Sequence, residues 1–234
     1  MSLLSDLRRV LRSLYRARGF TVAVILTLAL GIGANTAMFT LLRGTLLRPL
    51  PNRDGERLVY LRQSAEGAGQ ANVLFSVPEI IDFRTASKSL ASVAEYSAMT
   101  FTMLTDEVPV HVQAGVISGN YFEVMGLAPV LGRVTNSQDD GPGAAPVAVL
   151  SHQFWMEHFG GDPGVIGRSV RINDMASTIV GVAQRVPHYP ARTDVFVNMV
   201  TSPHHLSATM AQGRTHRMTE VFARLAPNVR AADS

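Results

Sequence analysis

The stretch FTVAVILTLALGIGANTAMFTLL, from Phe20 to Leu42, contains 23 residues and no charged side chain. An α-helix rises about 1.5 Å per residue, so this stretch can cross a hydrocarbon core of about 30 Å with some tilt. Because a backbone in lipid must satisfy its own N–H and C=O groups, the segment has to be helical. The sequence therefore predicts a transmembrane helix over residues 20–42.

Two other interpretations of this stretch are a cleaved signal peptide and a buried helix of a soluble protein. A signal peptide has an apolar core of about 7–15 residues and small residues before its cleavage site. Here the core is longer, and cleavage after Ala37 would place Asn35 at the −3 position. A buried soluble helix normally carries a polar stripe, which this stretch lacks. The length favours an uncleaved membrane anchor.

Small residues recur on one face of the predicted helix, at Ala29, Gly33 and Ala37. This spacing lets a second helix approach closely. Asn35 and Thr36 are costly in lipid unless another helix satisfies their polar groups. The alternative is that glycine, alanine and threonine are simply frequent in spanning helices. We predict a helix-packing face here, and therefore a helix that works together with another one.

The segment before the span, residues 1–19, is predicted to be a basic amphipathic helix at the cytoplasmic membrane surface. Its apolar stripe consists of Leu3, Leu7, Leu11 and Leu14. The basic residues expected to contact membrane lipid are Arg8, Arg9, Arg12, Arg16 and Arg18. Such a helix lies in the headgroup plane with its arginines on anionic lipid. An ordinary solvated or partner-bound helix is the alternative.

Positive charge is concentrated near the predicted membrane segment. Residues 1–19 carry a net charge of +4 and the predicted linker, residues 43–57, carries +2, whereas residues 58–234 carry −3. We therefore expect no nucleic-acid partner. Five arginines before the span against four after it favour a cytoplasmic N-terminus by a small margin. The absence of cysteine permits an oxidising compartment, and we expect the main domain outside.

Residues 58–234 are predicted to form one mixed α/β domain. Strand patterns cover residues 57–63, 93–104, 108–118, 147–150, 194–199 and 221–225. Asn173-Asp174 is expected to turn a hairpin between residues 170–172 and 178–182. The predicted helices are one capped by Ser76, a short one over residues 120–125 stopped by Gly126, and one capped by Ser151 that ends at Gly160-Gly161. Irregular alternation of strands and short helices predicts an α+β fold.

Short motifs follow one another along most of the chain. In order they are ALGIGANTA at residues 29–37, FSVPE at 75–79, DFR at 82–84, SGNYFEVMG at 118–126, PVLGR at 129–133, VLSHQFW at 149–155, FGGDP at 159–163, GR at 167–168, VGV at 180–182 and RLAP at 224–227. Their order and spacing resemble the periplasmic core domain of MacB/FtsX-type ABC transporter permeases, most closely the duplicated orphan permeases (ADOP). Asp174 stands where the family usually has glycine, and the stretch after Val200, with His204-His205, matches poorly.

The resemblance implies a MacB-like periplasmic core domain outside a bacterial inner membrane, with the N-terminus in the cytoplasm. It implies a cytoplasmic ABC ATPase subunit and the remaining permease spans, or a second permease copy, as partners. Permeases of this kind have further spans after the external domain, and no second long apolar run follows here. The chain thus resembles the N-terminal part of a permease, with the domain truncated at its C-terminus.

Two functions of different class follow. In the first, the external domain of a transporter relays ATP-driven motion or handles substrate. In the second, the chain is a membrane-anchored extracytoplasmic interaction module without transport activity, and an enzyme is a third, weaker alternative. No phosphate-binding loop, G-x-S-x-G motif or cysteine is present. The histidines lack the spacing of a known metal motif. We therefore predict no catalytic residue, cofactor or metal ligand.

Overall fold

A single long helix, α1 (Arg18–Leu46), dominates the N-terminal part of the computed structural model. The structure describes residues 16–46, 52–65, 70–105, 108–141, 143–185, 189–227 and 229. The chain divides into two compact units, residues 1–50 and residues 51–234. α1 covers the whole predicted span and extends it by two residues before Phe20 and by four after Leu42.

The second unit contains four further helices and eleven strands within the described residues. The helices are α2 (Val77–Ala86), α3 (Tyr121–Met125), α4 (His152–Phe159) and α5 (Ala208–Gln212). The strands are β1 (Leu58–Leu61), β2 (Gln63–Ala65), β3 (Gln70–Val73), β4 (Leu90–Thr105), β5 (Val108–Ile117), β6 (Pro129–Gly132), β7 (Val147–Leu150), β8 (Ser169–Ile172), β9 (Met175–Ala183), β10 (Val195–Asn198) and β11 (Glu220–Leu225). This mixture agrees with the predicted α+β class.

Six strands form a closed ring of backbone pairings. The order is β4-β5-β10-β7-β9-β8, and β8 pairs back onto β4 through Met103↔Ile172 and Leu104↔Arg171. The β5–β10 and β7–β9 pairs are parallel, and the other pairs of the ring are antiparallel. β11 and then β1 extend the sheet from the first half of β4, while β6 adds to β9. β2 and β3 form a separate hairpin.

The ring encloses the main hydrophobic core, because alternate residues of all six strands point into it. Its buried side chains include Met103, Val112, Leu150, Ile172, Ile179 and Val197, with Phe154 of α4 packed against them. The intervening residues of β7 and β10, Val149 and Phe196, belong to a second core beneath α3. Both strands are therefore buried on both faces, which explains their unbroken apolar sequences VAVL and VFVN.

The second core contains a cluster of aromatic rings. Tyr121 and Phe122 of α3 pack with Phe196 and Phe222, and the rings of Phe122 and Phe196 meet edge to face with centroids 5.1 Å apart. Gly126 ends α3 in the left-handed region at φ 65°, as the sequence predicted. A third, smaller core places Ile80 of α2 against β4 and β11. These three cores fix every helix of the domain except α5 against the sheet.

Most predicted elements are confirmed, and the differences have local causes. Asn173 and Asp174 both adopt left-handed backbone conformations, at φ 46° and 68°, as a tight hairpin turn requires. The strand predicted at residues 57–63 is wrong in its bounds, because Arg57 lies in a 3-10 turn and Arg62 interrupts the strand. β6 was missed because its Pro129 and Gly132 resemble turn residues, although both are tolerated in a strand at the sheet edge.

Candidate functional site: the apolar helix and the arginine clamp

The helix α1 is long and apolar enough to cross a membrane over Arg18–Thr40, and none of that stretch is buried within the chain. Large apolar side chains on this helix are mostly exposed: Phe20 is 70% exposed, Leu30 72% and Ile32 65%. Apolar surface of this extent is unfavourable in water by about 25 cal/mol for each Å². A lipid environment removes this cost, so the exposed surface is the one expected of a membrane anchor.

The predicted packing face lies open on this helix. Ala29, Gly33 and Ala37 are all exposed. A Cβ placed on Gly33 would meet no atom within 4 Å, apart from the helix's own backbone. Within the described part of the first unit, no side chain covers this face.

Four threonines of α1, namely Thr21, Thr27, Thr36 and Thr40, satisfy their hydroxyl groups within the helix. Thr27 donates to the carbonyl of Ala23 at 2.9 Å, and Thr36 donates to that of Ile32 at 2.7 Å. The expectation that Thr36 needs a second helix is therefore wrong, because its donor bonds four residues back along its own backbone. The side-chain amide of Asn35, in contrast, has no hydrogen-bond partner within residues 16–46.

The basic residues predicted at the membrane surface are only partly within the described structure. Arg16 and Arg18 are exposed at the beginning of α1. Arg8, Arg9 and Arg12 lie outside the described residues, as does most of the predicted amphipathic helix over residues 1–19. The packing face and the basic surface both remain predictions.

In the second unit, two arginines join the segment that leads into the domain to its last strand. Arg224 of β11 donates from Nε to the carbonyl of Val124 at 2.7 Å, from Nη2 to that of Arg53 at 2.5 Å, and from Nη1 to that of Asp54 at 3.2 Å. Arg57 donates from Nε and Nη2 to the carbonyl of Leu225, at 3.1 and 2.5 Å. We call Arg57 and Arg224, with these carbonyl groups, the arginine clamp.

Backbone pairing sets the position of the arginine clamp. β1 and β11 are antiparallel, with Leu58 opposite Arg224, so the beginning of β1 and the end of β11 lie side by side. Two further bonds hold the leading segment to the end of α3: Arg53 N–H donates to the carbonyl of Gly126 at 3.1 Å, and the Asn52 amide donates to that of Met125 at 2.6 Å. The two ends of the domain are thus fixed to each other.

Gly126 leaves room for this close approach. A Cβ on this residue would lie 2.5 Å from Nη2 of Arg224 and 2.6 Å from the carbonyl oxygen of Arg53. Its positive φ also disfavours any residue with a side chain. The sequence predicted Gly126 as a helix stop, but the arginine clamp itself was missed. Arg57 and Arg224 lie far from Gly126 in the chain, so no local pattern in the sequence pointed to the clamp.

Acidic side chains of the domain form internal ion pairs. Glu79 closes a capping box by accepting from the Ser76 N–H at 2.9 Å, and it also accepts from Nη2 of Arg217 at 2.5 Å. Arg217 lowers the pKa of Glu79 to about 2, and the bonds from Ser76 act in the same direction, against partial burial. The predicted cap of α2 is therefore present and is joined to the segment before β11.

Glu95 is a buried acid of the domain, at 7% exposure. It accepts from Nη2 of Arg84 at 2.8 Å. Burial raises the pKa of Glu95, Arg84 opposes this, and neighbouring Asp140 raises the pKa further. The carboxylate of Asp140 itself accepts from Gly119 N–H at 2.7 Å. These contacts connect β4, α2 and two loops. The burial of Glu95 is therefore explained by a structural role.

Three side chains of the poorly matching stretch after Val200 come together. Nε2 of His204 lies 3.0 Å from Nε2 of His216 and 3.2 Å from Sδ of Met218. We call these three residues the histidine–methionine cluster. The adjacent His205 is buried, and its pKa is lowered to about 4 by burial and then by His204 and His216. Among the described residues, no group of three or more His, Asp or Glu side chains is arranged to hold a metal ion.

The motifs behind the family resemblance have structural roles in the domain. Ser151 accepts from the Phe154 N–H and so caps α4, as predicted. Trp155 donates from Nε1 to the carbonyl of Asp162 at 2.9 Å. Arg133 pairs with both carboxylate oxygens of Asp139, at 2.7 and 2.9 Å. The motifs therefore specify caps, turns and ion pairs, and they identify a fold.

The described residues thus combine an exposed apolar helix with a domain in which α3 and α4 pack on a ring of six strands. The family model of the MacB-like periplasmic core domain matches residues 21–233, so the chain belongs to this family. The predicted family and fold class are thereby confirmed. A comparison with curated proteins gave no match.

Solved structures show the same fold at low sequence identity. The periplasmic region of MacB from Actinobacillus actinomycetemcomitans is 14% identical, with a TM-score of 0.57 over 80% of this chain and 81% of that one. A permease-protein domain from Porphyromonas gingivalis is 18% identical, with a TM-score of 0.56 over 74% and 77%. The extracellular domain of the noncanonical ABC-type transporter YknZ from Gram-positive bacteria is 15% identical, with a TM-score of 0.51 over 73% and 83%.

Proposed function

We propose that this chain is the N-terminal portion of a permease of the MacB/FtsX type, of the ADOP kind, in which the external domain relays ATP-driven motion from the membrane. The N-terminus and a cytoplasmic ABC ATPase lie on one side of the bacterial inner membrane, and the domain lies on the periplasmic side. The family match supports the permease context. The observation that carries the relay is the arginine clamp.

A relay needs a firm connection between the moving span and the domain. The segment over residues 52–57 is held by the arginine clamp and by the bonds of Asn52 and Arg53 to the end of α3. Bonds from a charged donor are about twice as strong as neutral ones, and several of them act together here. A displacement that reaches this segment would therefore move β1, β11 and α3 together.

The second part of the proposal concerns α1. Its open face of Ala29, Gly33 and Ala37 packs against the remaining permease spans or a second permease copy. Close approach over small residues is how spanning helices associate when lipid supplies no hydrophobic drive. The unpartnered amide of Asn35 lies about 200° around the helix from Gly33 and therefore offers a second, separate polar contact.

Cross-linking tests the packing face directly, because the chain contains no cysteine. Single cysteines would be introduced at Ala29 and Ala37, with Val24 and Leu28 as matched controls on the far side of the helix. In native membranes, oxidation should give disulfide-linked products at Ala29 and Ala37, with a second cysteine copy or with a cysteine introduced into a partner span, and far less at the controls. Equal cross-linking at all four positions would show that the face has no preferred partner.

Co-purification tests the transporter context. The chain would be tagged in its own bacterium, extracted from the inner membrane in mild detergent and analysed by intact mass and by the proteins bound to it. We expect an ABC ATPase to accompany it. Arg224→Ala should leave that association in place, but it should reduce the ATP-dependent changes in the solvent exposure of the domain. Recovery of the chain from membranes without an ATPase would favour an anchored interaction module instead.

A further inference from the structure

The histidine–methionine cluster places two metal-binding atoms close to a third. Nε2 of His204 lies 3.0 Å from Nε2 of His216 and 3.2 Å from Sδ of Met218. The rings of the two histidines are 5.0 Å apart at their centroids and inclined by 60°. Two imidazole nitrogens and a thioether sulfur therefore converge, although the residues come from two different loops.

The chain on both sides holds these side chains in place. In residues 216–218 the direction of successive side chains alternates, so His216 and Met218 reach His204 while Arg217 between them reaches Glu79. The backbone N–H groups of Met218 and Thr219 both donate to the carbonyl of Phe75, at 3.3 and 3.1 Å. The three donor atoms are thus positioned before any ligand arrives.

The loop of His204 is fixed as well. Its carbonyl accepts from the backbone N–H of Ser207 at 3.1 Å and from the Ser207 hydroxyl at 2.7 Å. The same serine caps α5 by accepting from the Met210 N–H at 3.3 Å. A ligand would therefore bind to a prearranged cluster rather than order a mobile loop.

The distances fit a shared metal ion. With metal–nitrogen bonds of about 2.0 Å and a metal–sulfur bond of about 2.3 Å, donor separations of 3.0 and 3.2 Å correspond to angles of about 95–97° at the metal. Each of the two pairs can therefore share a metal ion, and Nε2 of His204 belongs to both pairs. A hydrogen bond between two neutral imidazoles also gives a separation of 3.0 Å. The distance between the two nitrogens alone therefore does not distinguish a metal site from a hydrogen-bonded pair of rings. The Met218 sulfur beside His204 is the additional observation that favours a metal site.

The donor set selects the kind of metal. A thioether is a soft ligand that favours Cu(I), whereas imidazole accepts several transition metals. The nearby carboxylates, which would favour harder cations, are engaged elsewhere: Asp82 pairs with Arg214 at 2.8 Å, and Glu79 pairs with Arg217. No cysteine is present to compete for a soft ion. All three residues of the cluster are half-buried, so an ion can reach them from solvent.

We propose that His204, His216 and Met218 form a binding site for a single Cu(I) ion. Binding requires the Nε2 lone pairs of both histidines, so each neutral ring carries its proton on Nδ1 in the metal-bound form. The hydrogen bond between the two rings is then replaced by two nitrogen–copper bonds. This site lies in the stretch after Val200, which carries the fewest of the motifs behind the family resemblance.

Competition for Cu(I) tests the site. The full chain in detergent would be titrated without oxygen against the coloured Cu(I)–bicinchoninate complex. The wild-type chain should remove one Cu(I) per molecule. His216→Gln should weaken binding at least 30-fold and Met218→Leu at least 10-fold, because each removes one ligand while keeping the approximate volume. His111→Gln and Met156→Leu, at exposed positions away from the cluster, should bind like the wild type.

X-ray absorption on the Cu(I)-loaded chain gives a second measurement that does not depend on folding of a variant. Two nitrogen ligands and one sulfur ligand are expected, and the sulfur signal should disappear in Met218→Leu. Circular dichroism of each variant checks that the domain is folded. Failure of the wild type to take Cu(I) from the indicator would overturn the proposal, as would a loaded chain without a sulfur ligand, unchanged affinity in folded Met218→Leu, or tighter binding of Zn²⁺.

Discussion

Arg57 and Leu225 are 168 residues apart in the chain, yet the guanidinium Nε of Arg57 donates to the carbonyl of Leu225 at 3.1 Å. Arg224, next to Leu225, returns the contact by donating to the carbonyls of Arg53 and Asp54. Each end of the domain therefore provides both an arginine and a carbonyl acceptor for the other end. Because the bonds run in both directions, the loss of any single bond leaves the others to hold the two ends together.

Removal of Arg224 should weaken the domain. Arg224→Ala leaves the carbonyl of Val124 and those of Arg53 and Asp54 without their donor, so we expect a loss of about 2 kcal/mol in the free energy of unfolding. Arg224→Lys should recover less than half of this, because an ammonium group cannot serve the same fork of acceptors. Urea unfolding followed by tryptophan fluorescence measures the effect. Arg171→Ala, at an exposed ion pair, is the control and should change stability by less than about 0.5 kcal/mol. An equal loss of stability in Arg171→Ala and Arg224→Ala would contradict a special role for the clamp.

Substitution of Gly126 separates backbone strain from crowding. Gly126→Ala forces a Cβ into a left-handed position and against Arg224 and Arg53, so we expect a cost of about 3 kcal/mol. Gly160 is also left-handed, at φ 58°, but a Cβ there meets nothing within 4 Å, so Gly160→Ala should cost about 1 kcal/mol. Gly143 has neither restriction and should accept alanine without loss. Thermal unfolding of the three variants should follow this order, and equal losses at Gly126 and Gly160 would show that crowding is unimportant.

Acid should weaken the contact between α2 and the segment before β11. The pKa of Glu79 is about 2 in the folded domain, compared with an ordinary value of 4.5. A lowered folded-state pKa means that the ionised carboxylate adds stability above about pH 4.5, and that this stability is lost as the pH falls towards 2. The stability difference between wild type and Glu79→Gln should therefore be largest near pH 7 and should shrink below pH 4.5. Urea midpoints at several pH values give the comparison, and a difference that does not change with pH would contradict it.

The closure of the strand ring depends on few contacts, and Asn173 makes two of them. Its side-chain Oδ1 accepts from the Thr102 N–H at 3.1 Å, and its own N–H donates to the Thr102 carbonyl at 3.0 Å. Asn173→Gly keeps the left-handed turn but removes the side-chain bond, which should cost about 1 kcal/mol. Asn173→Ala also strains the turn, which should raise the cost to about 2 kcal/mol. Hydrogen exchange should accelerate most in β8 and at Thr102, and unchanged protection there would exclude this role.

Local signals in the sequence predicted the elements whose stability is local. Ser76, Ser151 and Gly126 mark helix ends because capping bonds and a left-handed stop involve neighbours within a few residues. The Asn173-Asp174 turn was predicted for the same reason. The return of β8 to β4, the pairing of β1 with β11 and the arginine clamp could not be predicted, since each joins residues far apart in the chain.

The candidate sites show the same division. The apolar character of α1 was clear from composition, but Thr36 was wrongly expected to need a second helix, because its bond to Ile32 within its own helix was overlooked. The histidine–methionine cluster escaped a search for known metal motifs, because His204 and the pair His216 and Met218 meet only through the folding of two loops. Sequence spacing reports a ligand set only when the ligands share one element.

The pairing of β1 with β11 also determines when the domain can be completed during synthesis. β1 leaves the ribosome soon after α1, but its partner strand is made more than 150 residues later, with Leu58 opposite Arg224. At about 5–20 residues per second, β1 waits on the order of 10–30 seconds for its neighbour. For that time β1 has an unpaired edge, and such an edge can pair wrongly with another chain until β11 has been made.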